Sequence, residues 1–347
     1  MVYVYARQSD LNKYVGKTLS VPQIKEALID MGMDLKGESE EDDPELKIEI
    51  TAEKTDMVSA AGVARAIKYY LGYATNPPRY TVAPATHEVR VKPSVKHTRP
   101  RTVAVILRDF PLDDTLLDEL IAIQEKIHAS FGRNRKKVSI GIYPLAECTF
   151  PVTYAGEAPD SIVFRPLESE EEMTGEQILE YHEKGKMFRH LLTGMSHYPV
   201  FRDANGEVLS MPPIINSHYT GRVTTEHRDL FIECSGYNQA YLDNIMKVMV
   251  TTFIEMGATA EAVKVVYEED DETYTLDLTN EEDTLSLSAV NRLIGAEIPK
   301  EEIERYLNKM MYGLKAKEGD TLHIEIPAFR SDVWHDVDIA DDIARAY

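Results

Sequence analysis

The feature that most constrains this chain is a phrase written twice, once near each end. Ile48-Glu-Ile-Thr-Ala-Glu-Lys-Thr-Asp56 returns as Ile324-Glu-Ile-Pro-Ala-Phe-Arg-Ser-Asp332. Each phrase sits on a strand pattern, 46–50 or 322–326, in which apolar residues alternate with Lys47 and Glu49 or with His323 and Glu325. A helix signal precedes each. In the first, Ser20 is the N-cap with Gln23 three residues on, Ile24, Ala27 and Leu28 share a face, and Gly32 is the stop. In the second, Pro299 opens a helix carrying Ile303, Tyr306, Leu307 and Met310 before Gly313. A second helix follows the first phrase over 57–71, and both phrases lead to an Ala-Arg-Ala triplet, 64–66 and 344–346, one turn later in the second copy. The repetition predicts two related small α+β modules, 1–90 and 269–347, bracketing a central domain, 91–268.

The centre mixes strands (103–107, 138–143, 230–233) with helices (118–130, 176–192, 241–256), so the fold class is α+β and multidomain. A net charge of −21 opposes nonspecific wrapping of nucleic acid. Two basic islands, 90–101 and 133–137, interrupt that acidity and read either as RNA contacts or as solvated loops. His182 and His190 carry the same two readings, with surface positions favoured. No apolar run is long enough to span a membrane and no leader pattern opens the chain, so a cytoplasmic protein without membrane association is expected. Cys148 and Cys234 lie far apart without zinc spacing, which suits a reducing compartment.

Two places carry candidate chemistry. Gly206 to Ser217 contains adjacent prolines, Pro212 and Pro213, flanked by Met211 and Ile214, with Ser210, Asn216 and Ser217 interleaved. Paired prolines exclude a helix interior or a central strand. A rigid apolar loop with a few polar groups is either a pocket wall or a buried turn. The second place is Asp332, Asp338, Asp341 and Asp342. The last three fall at i, i+3 and i+4 on one helical face, an arrangement that repels unless a cation intervenes. Oxygen ligation of that kind suits Mg²⁺, although an acidic first turn also complements the helix dipole. The first copy keeps Asp56 but has Gly62, Arg65 and Ala66 at the other places, so the fold does not require the acids.

Gln124-Glu-Lys-Ile-His128, Gly132-Arg-Asn-Arg-Lys-Lys-Val-Ser-Ile-Gly-Ile142, the 209–217 loop, Leu230-Phe-Ile-Glu233 and residues 327–347 together resemble the phenylalanine–tRNA ligase β subunits of the archaeal and eukaryotic type. The resemblance covers essentially the whole chain. It implies an α₂β₂ enzyme that attaches phenylalanine to tRNA(Phe) with ATP and Mg²⁺, the synthetic site lying on the α subunit. It also implies a central editing domain that hydrolyses mischarged Tyr-tRNA(Phe), and a Mg²⁺ site shared with α at Asp332, Asp338, Asp341 and Asp342. The partners expected are the α subunit and tRNA(Phe), with no DNA. Family members continue beyond the position of Tyr347, so a fragment unable to aminoacylate alone is expected.

Editing fits the residues. A hydrophobic pocket rejects an isostere with an added hydroxyl by only about 10²-fold, whereas a site bonding that hydroxyl discriminates by about 10⁴-fold or more. Met211, Pro212, Pro213 and Ile214 would supply walls, and Glu233 the acceptor for a phenol. Ser210 and Asn216 would be polar anchors, while Ser217, Thr224 and Thr225 would orient substrate or water. No serine–histidine or cysteine–histidine signature is present, so water is the expected nucleophile, with or without help from a tRNA 2′- or 3′-hydroxyl. The competing class is a noncatalytic scaffold that holds the α subunit and tRNA.

Overall fold

The computed structural model describes residues 2–51, 53–269 and 271–347. It divides into two compact units, one made of Met1–Thr81, Lys247–Met256 and Leu278–Tyr347, the other of Val82–Met246 and Gly257–Asp277. Among the described residues no helix is long and apolar enough to cross a membrane.

The second unit is built on a 10-stranded mixed sheet. From one end its order is Ile215–Asn216, Val208–Met211, Tyr198–Arg202, Val152–Glu157, Ala83–Val91, Thr259–Tyr267, Arg101–Arg108, Leu230–Gly236 and Val138–Pro144, with Glu272–Tyr274 attached to Thr259–Tyr267. Arg101–Arg108 and Leu230–Gly236 read as continuous apolar runs because they are interior strands, buried on both faces. Helix Asp114–Ala129 starts earlier than its apolar periodicity suggests, since the Asp113 side chain accepts from the Leu116 N–H at 2.8 Å and caps it. The helix expected over 176–192 is instead two short ones, Gly175–Tyr181 and Glu183–Phe188. His182 breaks it: its backbone is extended, its Nδ1 accepts from the Lys184 N–H at 3.2 Å, and its Nε2 lies 3.0 Å from the Leu167 carbonyl. His182 is thus buried and structural, not at the surface, whereas His190 is exposed.

In the first unit the two copies expected as separate flanking modules share one core. A module of about 70 residues buries a smaller fraction of its surface than a larger domain and is marginal alone. One hydrophobic cluster accordingly includes Val4, Ile24, Ile48 and Ile67 of the first copy and Leu307, Ile324, Phe329 and Ile343 of the second. The topologies match element for element. Strand Val2–Arg7, helices Gln8–Val15 and Val21–Asp30, strands Asp34–Glu38 and Glu45–Ile50 and helix Ala60–Tyr70 are followed in the same order by Glu281–Ser286, Leu287–Ile294, Ile303–Lys309, Gly313–Glu318, Thr321–Ile326 and Asp336–Ala346. In both copies the third strand lies between the other two. The closing helices are 11 residues each and begin at the same offset from Asp56 and Asp332. The extra turn inferred from the Ala-Arg-Ala triplets is therefore absent, and Ala64, Arg65 and Ala66 correspond to Ala340, Asp341 and Asp342.

Equivalent positions of the copies touch: Thr55 Oγ1 and Ser331 Oγ are 2.6 Å apart. Around that contact, three buried carboxyl groups face three buried cations. Lys54 Nζ donates to Asp332 and Asp342 at 2.9 Å each. Arg330 forks onto Asp332 at 2.8 and 2.9 Å and also donates to Asp342, which accepts from the Tyr312 hydroxyl at 2.7 Å. Asp56 lies 3.6 Å from Arg65, whose guanidinium stacks 3.7 Å from the Phe329 ring centroid. Burial works to raise the carboxyls of Asp332 and Asp342, but Arg330 and Lys54 outweigh it and hold both below the usual range. Burial prevails at Asp56, only partly offset by Arg65, and pushes its carboxyl up.

Removing one cation leaves a buried charge uncompensated, a change that costs roughly 3–5 kcal/mol. Arg330→Met is expected to destabilise the first unit by about that amount in urea titrations followed through Trp334, the only tryptophan. Adding Asp342→Ala, the residue that the first copy carries as Ala66, is expected to recover part of the loss. Because the Asp332 and Asp342 carboxyls are depressed, their contribution is complete above about pH 4 and declines as the pH falls below it.

Candidate active site

A cavity of about 340 Å³ opens where the two ends of the large sheet face each other. Two side chains bridge those ends: Asn216 Nδ2 donates to the Ile142 carbonyl at 3.3 Å, and the Tyr143 hydroxyl donates to Ser210 Oγ at 2.7 Å. The strand Val138–Pro144 is the last of the sheet, so its outer backbone groups need partners. Helix Asp114–Ala129 supplies them from one face, at i and i+4. Gln124 Nε2 donates to the Ile140 carbonyl, and the Ile140 N–H donates to His128 Nε2, both at 2.8 Å. With Nε2 accepting, the His128 proton is on Nδ1, which lies 3.2 Å from Glu125 Oε1. Burial lowers the His128 pKa, and Glu125 offsets this only in part, so the ring is neutral.

Glu233 lies on the interior strand Leu230–Gly236, paired on one side with Ala104 and on the other with Gly141. Glycine at 141 is a spatial requirement. A Cβ there would collide with the Tyr143 hydroxyl and with Glu233 Oε1. In the space so left, the Tyr143 hydroxyl lies 3.1 Å from Glu233 Oε1, while Phe231 stacks on the Tyr143 ring at 5.6 Å between centroids. Glu233 is 1% exposed, and its Oε2 has no hydrogen-bond partner. Burial pushes its carboxyl up to about 8, with Tyr143 and the more distant Arg99 too weak to offset it. At neutral pH the side chain is a neutral acid able both to donate and to accept.

Of the residues anticipated from the sequence, Ser210, Asn216, Glu233, Pro212, Pro213 and Ile214 line this one cavity. The Pro212–Pro213 peptide is cis. Four others do not line it: Met211, Ser217, Thr225 and Thr224, whose N–H donates to His227 Nδ1 at 2.9 Å. Strand alternation that turns Ser210 inward turns Met211 to the opposite face, where it packs with Ile162, Ile178 and Val200. Ser217 is buried and spent on its own turn, its N–H on the Leu209 carbonyl and its hydroxyl accepting from Tyr219. Thr225 is exposed, and the neighbouring chain reaches the cavity through Gly221, Arg222 and Val223 instead. Sequence reasoning did not single out Tyr143, Gly141, Glu125, His128 or Arg135 as site residues. A lone glycine inside the apolar strand was a usable signal of close approach.

The four aspartates do not form a metal cage within this chain. Asp332 and Asp342 are saturated by Lys54 and Arg330. Asp338 accepts the Trp334 and His335 N–H groups at 2.8 Å each, closing the first turn of its helix, and Asp341 pairs with Arg345 at 2.9 Å. Among the described residues no three His, Cys, Asp or Glu side chains converge on a possible ion. The donor set therefore does not fit a complete Mg²⁺ site. A shared ion would need ligands from a second chain.

Comparison with known proteins places this architecture. Residues 284–347, the second copy of the repeat, match the family model of the tRNA synthetase B5 domain. The chain is 37% identical over 344 residues to the phenylalanine–tRNA ligase β subunit of Pyrococcus furiosus, covering 98% of this chain and 61% of that protein. It is 36% identical over 338 residues to the β subunit of Methanothrix thermoacetophila, covering 97% and 61%. The chain thus spans about three-fifths of the length of the curated relatives it matches. The crystal structure of an N-terminal fragment of the phenylalanyl-tRNA synthetase β subunit from Pyrococcus horikoshii superposes with a TM-score of 0.94 at 36% identity, covering 99% of both chains. With that correspondence end to end, the chain belongs to the phenylalanine–tRNA ligase β-subunit family.

Proposed function

We propose that the cavity of the second unit hydrolyses tyrosine wrongly esterified to tRNA(Phe). On this reading the chain is the editing part of a cytoplasmic β subunit, whose α₂β₂ assembly with α attaches phenylalanine using ATP and Mg²⁺. One observation carries the reading: the buried Glu233 carboxyl, with Oε2 unpartnered, in a cavity walled by Pro212, Pro213 and Ile214. A phenol completes the hydrogen bonding of that group. A bare benzene ring leaves it unpaired, at a cost of about 1–3 kcal/mol while it is neutral and more once it is ionised.

Ser210 and Asn216 hold the polar part of the substrate in this scheme. Water adds to the ester carbonyl, the bond between that carbon and the ribose oxygen breaks, and the ribose leaves as its hydroxyl. His128 is not the base, because its Nε2 already accepts from Ile140. The neighbouring hydroxyl of the terminal ribose positions the water. The loss of His128 as a base also favours a second reading, in which the unit only binds tRNA and the α subunit.

Deacylation of Tyr-tRNA(Phe) and Phe-tRNA(Phe) separates the two. Editing requires selective release of tyrosine, with Glu233→Ala lowering the tyrosine rate roughly 10- to 100-fold. Equal background loss from both esters supports the scaffold. A parental tyrosine rate in Glu233→Ala would remove Glu233 from the mechanism. Since Glu233 ionises at about pH 8, the Tyr/Phe rate ratio is expected to rise as the pH increases through that value. Glu233→Gln, which cannot ionise, is expected to flatten the profile.

A further inference from the structure

Arg133, Asn134 and Arg135 hold left-handed backbone in succession, at φ 48°, 52° and 65°. None is glycine, and L side chains disfavour that region, so such a run persists only where its surroundings over-determine it. They do so here. The Gly132 N–H donates to the Ile127 carbonyl at 2.7 Å, Arg135 N–H to His128 at 3.1 Å, and Lys137 N–H back to Gly132 at 2.8 Å. From beneath, the buried guanidinium of Arg99 donates to the Arg135 and Lys136 carbonyls at 3.3 and 3.4 Å.

The turn delivers one side chain to the cavity. Arg135 Nη1 donates to the Ile214 carbonyl at 2.9 Å and to that of Pro213 at 3.4 Å. Nη2 donates to Glu125 at 2.8 Å, and the guanidinium lies 4.5 Å from the Phe188 ring centroid. Glu125 contacts His128, and His128 holds the Ile140 N–H of the strand that carries Gly141 and Tyr143. One line of contacts thus joins the diproline wall to the strand beside Glu233.

We propose that Arg135 is a positioning residue that fixes the Pro212–Pro213–Ile214 wall relative to the Glu233 strand and so sets how sharply the cavity distinguishes a phenol from a bare ring. This deepens the function proposed above and rests on it. The fork is essential, because Arg135 holds the carbonyls through Nη1 and the carboxylate through Nη2, two nitrogens fixed in one plane that the single nitrogen of a lysine cannot reproduce.

Two readouts on the whole chain test it: hydrogen–deuterium exchange of the Ile214 to Ser217 amides, and deacylation of Tyr-tRNA and Phe-tRNA. Arg135→Gln is expected to accelerate that exchange without altering helix Asp114–Ala129. It is also expected to cut kcat for the tyrosyl ester roughly 10- to 100-fold, leaving the KM for tRNA at its parental value. Arg135→Lys should restore part of the protection but not the Tyr/Phe ratio. Asn134→Gly relieves the backbone without touching the fork and should leave both readouts parental. Unchanged exchange in Arg135→Gln overturns the proposal, as does faster exchange with a parental Tyr/Phe ratio. If the parental chain fails to discriminate, the proposed function falls, and exchange alone decides whether Arg135 fixes the wall.

Discussion

A carboxyl group buried on an interior strand, whose backbone pairs with strands on both sides, is the constraint around which the second unit is arranged. Glu233 cannot swing to solvent, because its strand is locked between Arg101–Arg108 and Val138–Pro144. Its neighbours follow from that. Position 141 must be glycine to leave room for the carboxyl, and Tyr143 fills the remaining space and ties it to Ser210. The group escapes the full cost of a buried charge by keeping its proton. One carboxylate oxygen is left over, and an unspent polar atom inside an apolar cavity is the means by which a site recognises a hydroxyl.

The first unit solves a different problem with similar material. A small α+β fold has been doubled, and the two copies, each marginal in size, share one core. Where the copies meet, charges replace grease. Position 66 of the first copy is alanine, and its counterpart Asp342 is neutralised partly by Lys54, a residue of the other copy. The pairing is asymmetric, and it binds the repeats together in a way that hydrophobic contact alone does not.

Much of this was legible in the sequence, and the failures are instructive. The duplication, the central strands and the diproline loop were visible because each rests on local pattern. Ser210, Asn216 and Glu233 were anticipated and share one cavity. Met211 was placed on the wrong face because strand alternation carries through the start of the loop, up to the prolines. His182 looked like a polar surface residue because nothing local shows that its ring caps one helix and reaches Leu167. The pairing of the acids at 332 and 342 with Lys54 was not visible either, because Lys54 lies 278 and 288 positions away. Long-range pairing leaves no periodicity to read.

The central claim is that a buried neutral acid, within apolar walls held in place from outside, tells tyrosine from phenylalanine. The most direct measurement is calorimetric binding of non-hydrolysable tyrosyl- and phenylalanyl-adenosine analogues to the parental chain and to Glu233→Ala. The account requires the tyrosyl analogue to bind roughly 10-fold tighter or more to the parental chain, and the two to bind alike once the carboxyl is gone. Equal affinities in the parental chain, or a preference that survives the substitution, would contradict it.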